Sequence, residues 1–100
     1  MSVYAIALIN STDRTGYAAY EQGVMAIFNQ YKGRLLAVDE TPVVKEGEWH
    51  HTRTVLLEFP DQAELDRWYH SDAYQALARH RFAASQGAVA VIQSLSAPSG

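Results

Sequence analysis

Apolar positions follow two rhythms along this chain. Val3 to Ile9 is a short apolar run rich in branched and aromatic side chains. Asn10-Ser11-Thr12-Asp13 after it is a cluster of turn and helix-capping types, so a strand followed by a helix start is predicted. Tyr17, Tyr20, Val24, Ile27, Phe28 and Tyr31 then recur at helical spacing, one stripe down an amphipathic helix. Lys32-Gly33 supplies a cation and a glycine for a left-handed cap at its end. Arg34 to Val38 predicts a second strand. Asp39 to His51, with Pro42 and Gly47, predicts an irregular connector in which Val43-Val44 could add a brief edge strand. Arg53 to Phe59 predicts a third strand, stopped by Pro60-Asp61. Asp61 followed by Glu64 has the spacing of a capping box, with Asp in place of Ser or Thr. The helix it opens runs through Trp68-Tyr69, breaks and restarts at Ser71-Asp72, and continues through Tyr74, Leu77, Ala78, Arg81 and Phe82. Gly87 is expected to end it, and Ala88 to Gln93 predicts the fourth strand.

The order β-α-β, connector, β-α-β is the split pattern of a ferredoxin-like α+β fold. It predicts a four-stranded antiparallel sheet with the helices on one face. A sheet covered on one face only should alternate apolar with polar. These strands do not. In the first, Tyr4, Ile6 and Leu8 oppose Val3, Ala5, Ala7 and Ile9; in the fourth, Val89 and Val91 oppose Ala88, Ala90 and Ile92. The second apolar face therefore needs a cover, and a two-fold homodimer with sheet packed on sheet in a barrel-like sandwich is the economical one. Long loops over the central strands are the alternative.

Composition narrows the function classes. The chain has 100 residues, 48% of them apolar and 19% charged, which is one globular domain rather than a disordered segment. Residues 1–96 are expected to form that domain and 97–100 a frayed tail. The net charge of −3 with no basic cluster argues against nucleic acid as a partner. Without cysteine there is no disulfide framework, Cys-based zinc site or thiol nucleophile. No apolar run approaches the roughly 20 residues of a membrane span, and the start of the chain lacks signal-peptide regions. A soluble, cytoplasmic protein is expected, with no membrane partner.

A set of motifs carries a family resemblance. Gly33-Arg34-Leu35-Leu36, Glu46-Gly47-Glu48-Trp49, Arg53-Thr54-Val55, Glu58-Phe59-Pro60, Trp68-Tyr69-His70-Ser71, Tyr74 and Arg81 occur in this order. Over Tyr4 to Gln93 the chain resembles the DUF1330 family. That resemblance implies a dimeric α+β barrel with a ferredoxin-like protomer and no assigned activity. Asp72-Ala73 departs from the family, which typically has Pro-Glu there.

The strongest candidate constellation is Trp68, Tyr69, Tyr74 and Arg81. Tyr74 and Arg81 lie two helical turns apart on one face, and rings with a guanidinium could hold a planar carboxylate or phenolic ligand. Alternatively the rings are core and Arg81 ties down a helix end. Glu58, between Leu57 and Phe59, would have a raised pKa if buried and would then suit a general base; the competing role is a carboxylate paired with arginine. His70 and His80 are the remaining acid/base candidates. His50-His51 and the rest of the connector carry no assignable role. The histidine spacing predicts no metal site, and no nucleotide or serine-hydrolase motif occurs, so no cofactor is expected.

Three functions remain open. The first is a homodimer binding a small organic molecule between helices and sheet. The second is a cofactor-independent monooxygenase- or isomerase-like enzyme, as the wider superfamily contains. Oxygenases with this barrel line their cavities with Asn, Trp and His, types that Asn10, Trp68 and His80 supply, although their flanking motifs do not match. The third is a structural or stress-associated dimer without a ligand. An enclosed cavity with a polar group lacking a protein partner would separate the first two from the third.

Overall fold

The computed structural model describes residues 2–95; the expected tail at 97–100 lies outside them. The elements run β1 (Val3–Ser11), α1 (Arg14–Phe28), β2 (Arg34–Asp39), β3 (Arg53–Phe59), α2 (Gln62–Tyr69), α3 (Asp72–Ala84) and β4 (Ser85–Gln93). The strands form one sheet in the order β2-β3-β1-β4, antiparallel at each pairing. With helices packed on one side, this is the ferredoxin-like α+β arrangement that the element order predicts. Among the described residues no helix is long and apolar enough to cross a membrane.

Capping side chains place the helices. The Asp13 carboxylate accepts from the Gly16 N–H at 3.3 Å and Asp61 from Glu64 at 2.8 Å, while the Ser71 hydroxyl accepts from Tyr74 at 3.2 Å and restarts the helix after the break. Thr12 and Asp13 donate their N–H groups to the Ala84 carbonyl at 2.7 and 3.0 Å, tying the start of α1 to the end of α3. Glu64 does not complete a capping box. Its carboxylate instead accepts from the Lys32 backbone at 3.0 Å and pairs with Arg67 at 2.9 Å, joining α2 to the turn after α1.

The β1 register fixes which side chains meet the helices. Val3, Ala5 and Ile9 are buried on that side, with Phe59 opposite Val3 and Leu57 opposite Ala5. Tyr17, Tyr20 and Phe28 from α1, Leu65 and Trp68 from α2, and Tyr74 and Ala78 from α3 complete the core. The other sheet face carries Tyr4, Ile6 and Leu8, flanked by Ile92, Ala90 and Ala88 on β4 and by Leu56 on β3. No helix covers it.

Four local expectations are corrected. α1 ends at Phe28, with Asn29 as a right-handed cap, so Tyr31 lies beyond the helix. Gly33 does not take a left-handed conformation; a side chain there would meet the Phe28 and Phe59 rings at 2.7 Å, so close approach accounts for it. Gly87 does not end α3. β4 begins directly at Ser85, and a Cβ on Gly87 would collide with the Leu8 carbonyl. Val43 and Val44 form no strand; the connector after β2 is irregular and exposed there.

Candidate functional site

A cavity of about 250 Å³ lies between the helix-facing side of the sheet and α1, α2 and α3. Its floor explains its existence. Ala5 and Ala7, on the central strand β1, present methyl groups where Leu57 and Val55 stand on β3, and the helices bridge over the gap. An aromatic wall closes one side. Trp68 lies 4.4 Å from Tyr74 and 5.5 Å from both Phe28 and Phe59, and Tyr69 is 5.5 Å from Tyr74. The hydroxyls of Tyr20 and Tyr74 share a buried hydrogen bond at 2.9 Å.

Two donors in this wall have no partner. Trp68 Nε1 and Arg81 Nη2 are buried without a hydrogen bond. Each such group costs on the order of 1–3 kcal/mol unless something answers it. Arg81 itself is held between rings, its guanidinium 5.7 Å from the Tyr20 centroid and 4.7 Å from that of Phe82. No described carboxylate lies within ion-pair distance of it. Burial pulls the Arg81 pKa down, and the phenols of Tyr74 and Tyr20, with a side-chain hydrogen bond to Tyr74, more than offset this, so the cation persists. Tyr20 is pushed well above the usual phenol value, first by burial and then by Tyr74; Tyr17 is also raised, chiefly by burial. Both phenols therefore present neutral O–H groups.

The second arginine of the cavity is differently placed. Arg53 Nη1 pairs with Glu21 at 2.9 Å and Glu40 at 3.1 Å, and its guanidinium lies 5.8 Å from the Tyr17 ring centroid. Arg53 thus has two carboxylate partners, whereas among the described residues no carboxylate pairs with Arg81.

Trp68, Tyr69, Tyr74 and Arg81 are thus brought together on one cavity, as their spacing predicts. The other candidates are not. Asn10 belongs to β1, which runs on to Ser11, and the strand alternation turns it to the face of Leu8. His70 caps α2 in solvent and His80 is exposed on α3; neither lines the cavity. Glu58 lies on the open face and accepts from Arg34 at 2.6 Å. That hydrogen bond holds its pKa below the usual carboxylate range, the reverse of the raised value expected of a buried base. Tyr17, Tyr20, Glu21 and Arg53 are polar or charged lining residues that the sequence does not single out as a site. The two tyrosines stood in the helical stripe, whose spacing marks them as buried without showing that their hydroxyl ends border a void.

The Glu58–Arg34 pair has a testable pH signature. Because the folded-state pKa is lowered, its stabilisation is present above the unfolded carboxylate pKa of about 4.3 and is lost as pH falls through the folded value. Urea denaturation of Glu58→Gln from neutral to acid pH should show a shallower acid limb than wild type. Superimposable limbs would contradict the pairing.

A model of the family DUF1330, described as a domain of unknown function, matches residues 2–95. No curated protein matches the chain. Among solved structures, a protein of unknown function from Rhodopseudomonas palustris superposes with a TM-score of 0.81 at 18% identity, over 94% of this chain and 82% of that one. A dimeric ferredoxin-like protein of unknown function from Jannaschia sp. CCS1 gives 0.69 at 15% identity, over 94% and 100%. SnoaB, a cofactor-independent oxygenase from Streptomyces nogalater, gives 0.69 at 10% identity, over 99% and 98%. At these identities the likeness is one of fold.

Proposed function

The chain belongs to the DUF1330 family, and from that premise we propose that it binds a small, flat organic acid in the cavity between helices and sheet. The observation that carries this reading is the pair of buried, unpartnered donors, Trp68 Nε1 and Arg81 Nη2, on an otherwise apolar and aromatic wall. Arg81 brings a cation without a carboxylate partner, so the complementary group is an anion with acceptor oxygens. A space of about 250 Å³ is smaller than the ~300–1,000 Å³ of typical ligand pockets and favours one or two fused rings. A purely structural role gives no account of two buried donors left unanswered beside a void.

The assembly that goes with this reading is a homodimer through the open sheet face. Tyr4, Ile6, Leu8, Leu56 and Ile92 make that face apolar, and a second copy would bury it. The dimeric state of the Jannaschia protein supports a dimer.

Native mass spectrometry with added 2-naphthoate tests both parts. The expected result is a dimer carrying one acid per protomer, with no uptake of the cationic analogue 2-naphthylmethylamine. Equal uptake of acid and amine would sink the assignment of the anion to Arg81, and a monomer would sink the dimer.

A further inference from the structure

A second, polar pocket adjoins the cavity where the connector after β2 folds against the start of α1. Tyr17, Glu21 and Arg53 line both spaces, so the two adjoin at these side chains. Two buried nitrogens in the polar pocket lack partners, Arg53 Nε and His51 Nδ1. Arg53 is held by Glu21 and Glu40, and the His51 ring stands edge-on to Trp49 at 5.3 Å.

We propose that this pocket is a second subsite, which takes a neutral hydroxyl group of the ligand whose acid end lies on Arg81; the inference rests on the reading of the cavity as an acid-binding site. Charge decides between a neutral group and a second anion. Arg14 and Arg53 are balanced there by Glu21 and Glu40, so an incoming carboxylate meets as much repulsion as attraction. Hydrogen-bond chemistry then selects the hydroxyl. It accepts from the Arg53 Nε–H and answers His51 Nδ1 in either tautomer, whereas a carbonyl answers only a donor. Ser11, Thr12 and Thr52 also line the pocket, a setting for polar rather than apolar contact. The ligand class is accordingly a hydroxylated aromatic acid.

Calorimetric titration with 2-naphthoate, 3-hydroxy- and 6-hydroxy-2-naphthoate and naphthalene-2,6-dicarboxylate tests this. The 6-hydroxy acid should bind about tenfold more tightly than 2-naphthoate, as one added buried hydrogen bond allows, while the 3-hydroxy acid, whose hydroxyl sits beside the carboxylate on Arg81, and the dicarboxylate should gain nothing. In Arg53→Lys, which keeps a cation for the two glutamates but removes the Nε donor, the ratio of hydroxy acid to parent should fall toward one. His51→Ala should lower the same ratio and serves as the second variant if the first fails to fold. If the parent binds but the 6-hydroxy acid binds no more tightly, or its advantage survives both variants, the subsite is wrong. A dicarboxylate as tight as the hydroxy acid overturns its neutral character. Failure of the parent acid and all its derivatives to bind removes the underlying cavity reading instead.

Discussion

Arg81→Met is expected to weaken binding of 2-naphthoate by at least about 30-fold, and to leave the protein folded with nearly unchanged stability. The loss follows from removing the charged partner of a buried ion pair, which costs roughly 2–5 kcal/mol of affinity. Stability is the discriminating half. Without ligand, Arg81 is a buried cation with an unanswered Nη2 and no described carboxylate partner, so its desolvation opposes folding. Methionine keeps part of the aliphatic stem and gives up the guanidinium's ring contacts with Tyr20 and Phe82, about 0.5–1 kcal/mol each, and its hydrogen bond with Tyr74. The two effects offset, and the melting temperature should move by a few degrees at most. If Arg81 instead ties down the end of α3, the variant would melt well below wild type and the change in binding would follow the loss of fold. Arg81→Lys should recover part of the affinity, because a point charge replaces attraction but not the planar fork.

Gly87→Ala is expected to be the most damaging small substitution, costing about 3 kcal/mol in chemical denaturation. A Cβ at this position collides with the carbonyl oxygen of Leu8 and comes within 3.1 Å of the Ile9 Cα, both main-chain atoms of the paired strand. A side chain can rotate away from an intruding methyl group; a backbone carbonyl inside a ladder cannot without parting the strands. Overpacking costs of ~1–3 kcal/mol apply, and the rigidity of the obstacle puts this case at the upper end. Gly23→Ala offers the contrast. Its Cβ would meet only the flexible end of Leu77, with a nearest approach of 3.0 Å. A Gly87→Ala protein as stable as wild type would mean that β1 and β4 are not paired in this register.

These two residues show where local pattern is enough and where it is not. Trp68, Tyr69, Tyr74 and Arg81 were legible as a constellation because they share two consecutive helical segments, and helical spacing alone aligns Tyr74 with Arg81. The element order and the two-sided apolar character of β1 were legible for the same reason, since alternation is a property of a single strand. Gly33 and Gly87 were read as helix ends because glycine is the usual cap. Their actual constraint comes from tertiary contacts: the end of α1 at Phe28 and the β3 residue Phe59 crowd Gly33, and Leu8 on the neighbouring strand crowds Gly87. Asn10 was misplaced by a small error with a large consequence: β1 continues to Ser11, so the alternation turns Asn10 away from the cavity. Arg53 is visible in the sequence as a strand and motif residue but not as a site residue, because its surroundings are assembled from α1, the connector and β3. Glu58 was ambiguous until Arg34 was found beside it, the β2 residue paired with it across the ladder. The void itself left a faint trace, two alanines at Ala5 and Ala7 on a central strand, and its meaning depended on which side chains stood opposite.

The central claim is that an organic acid sits on Arg81 inside this cavity. A crystal structure of the protein with 2-naphthoate bound tests it most directly. The account predicts the ring system against Trp68 and Tyr74, above Ala5 and Ala7, with the carboxylate within hydrogen-bond distance of Arg81 Nη2 in each protomer. A naphthoate lodged anywhere else, with the cavity empty and Arg81 Nη2 still unpaired, would contradict it.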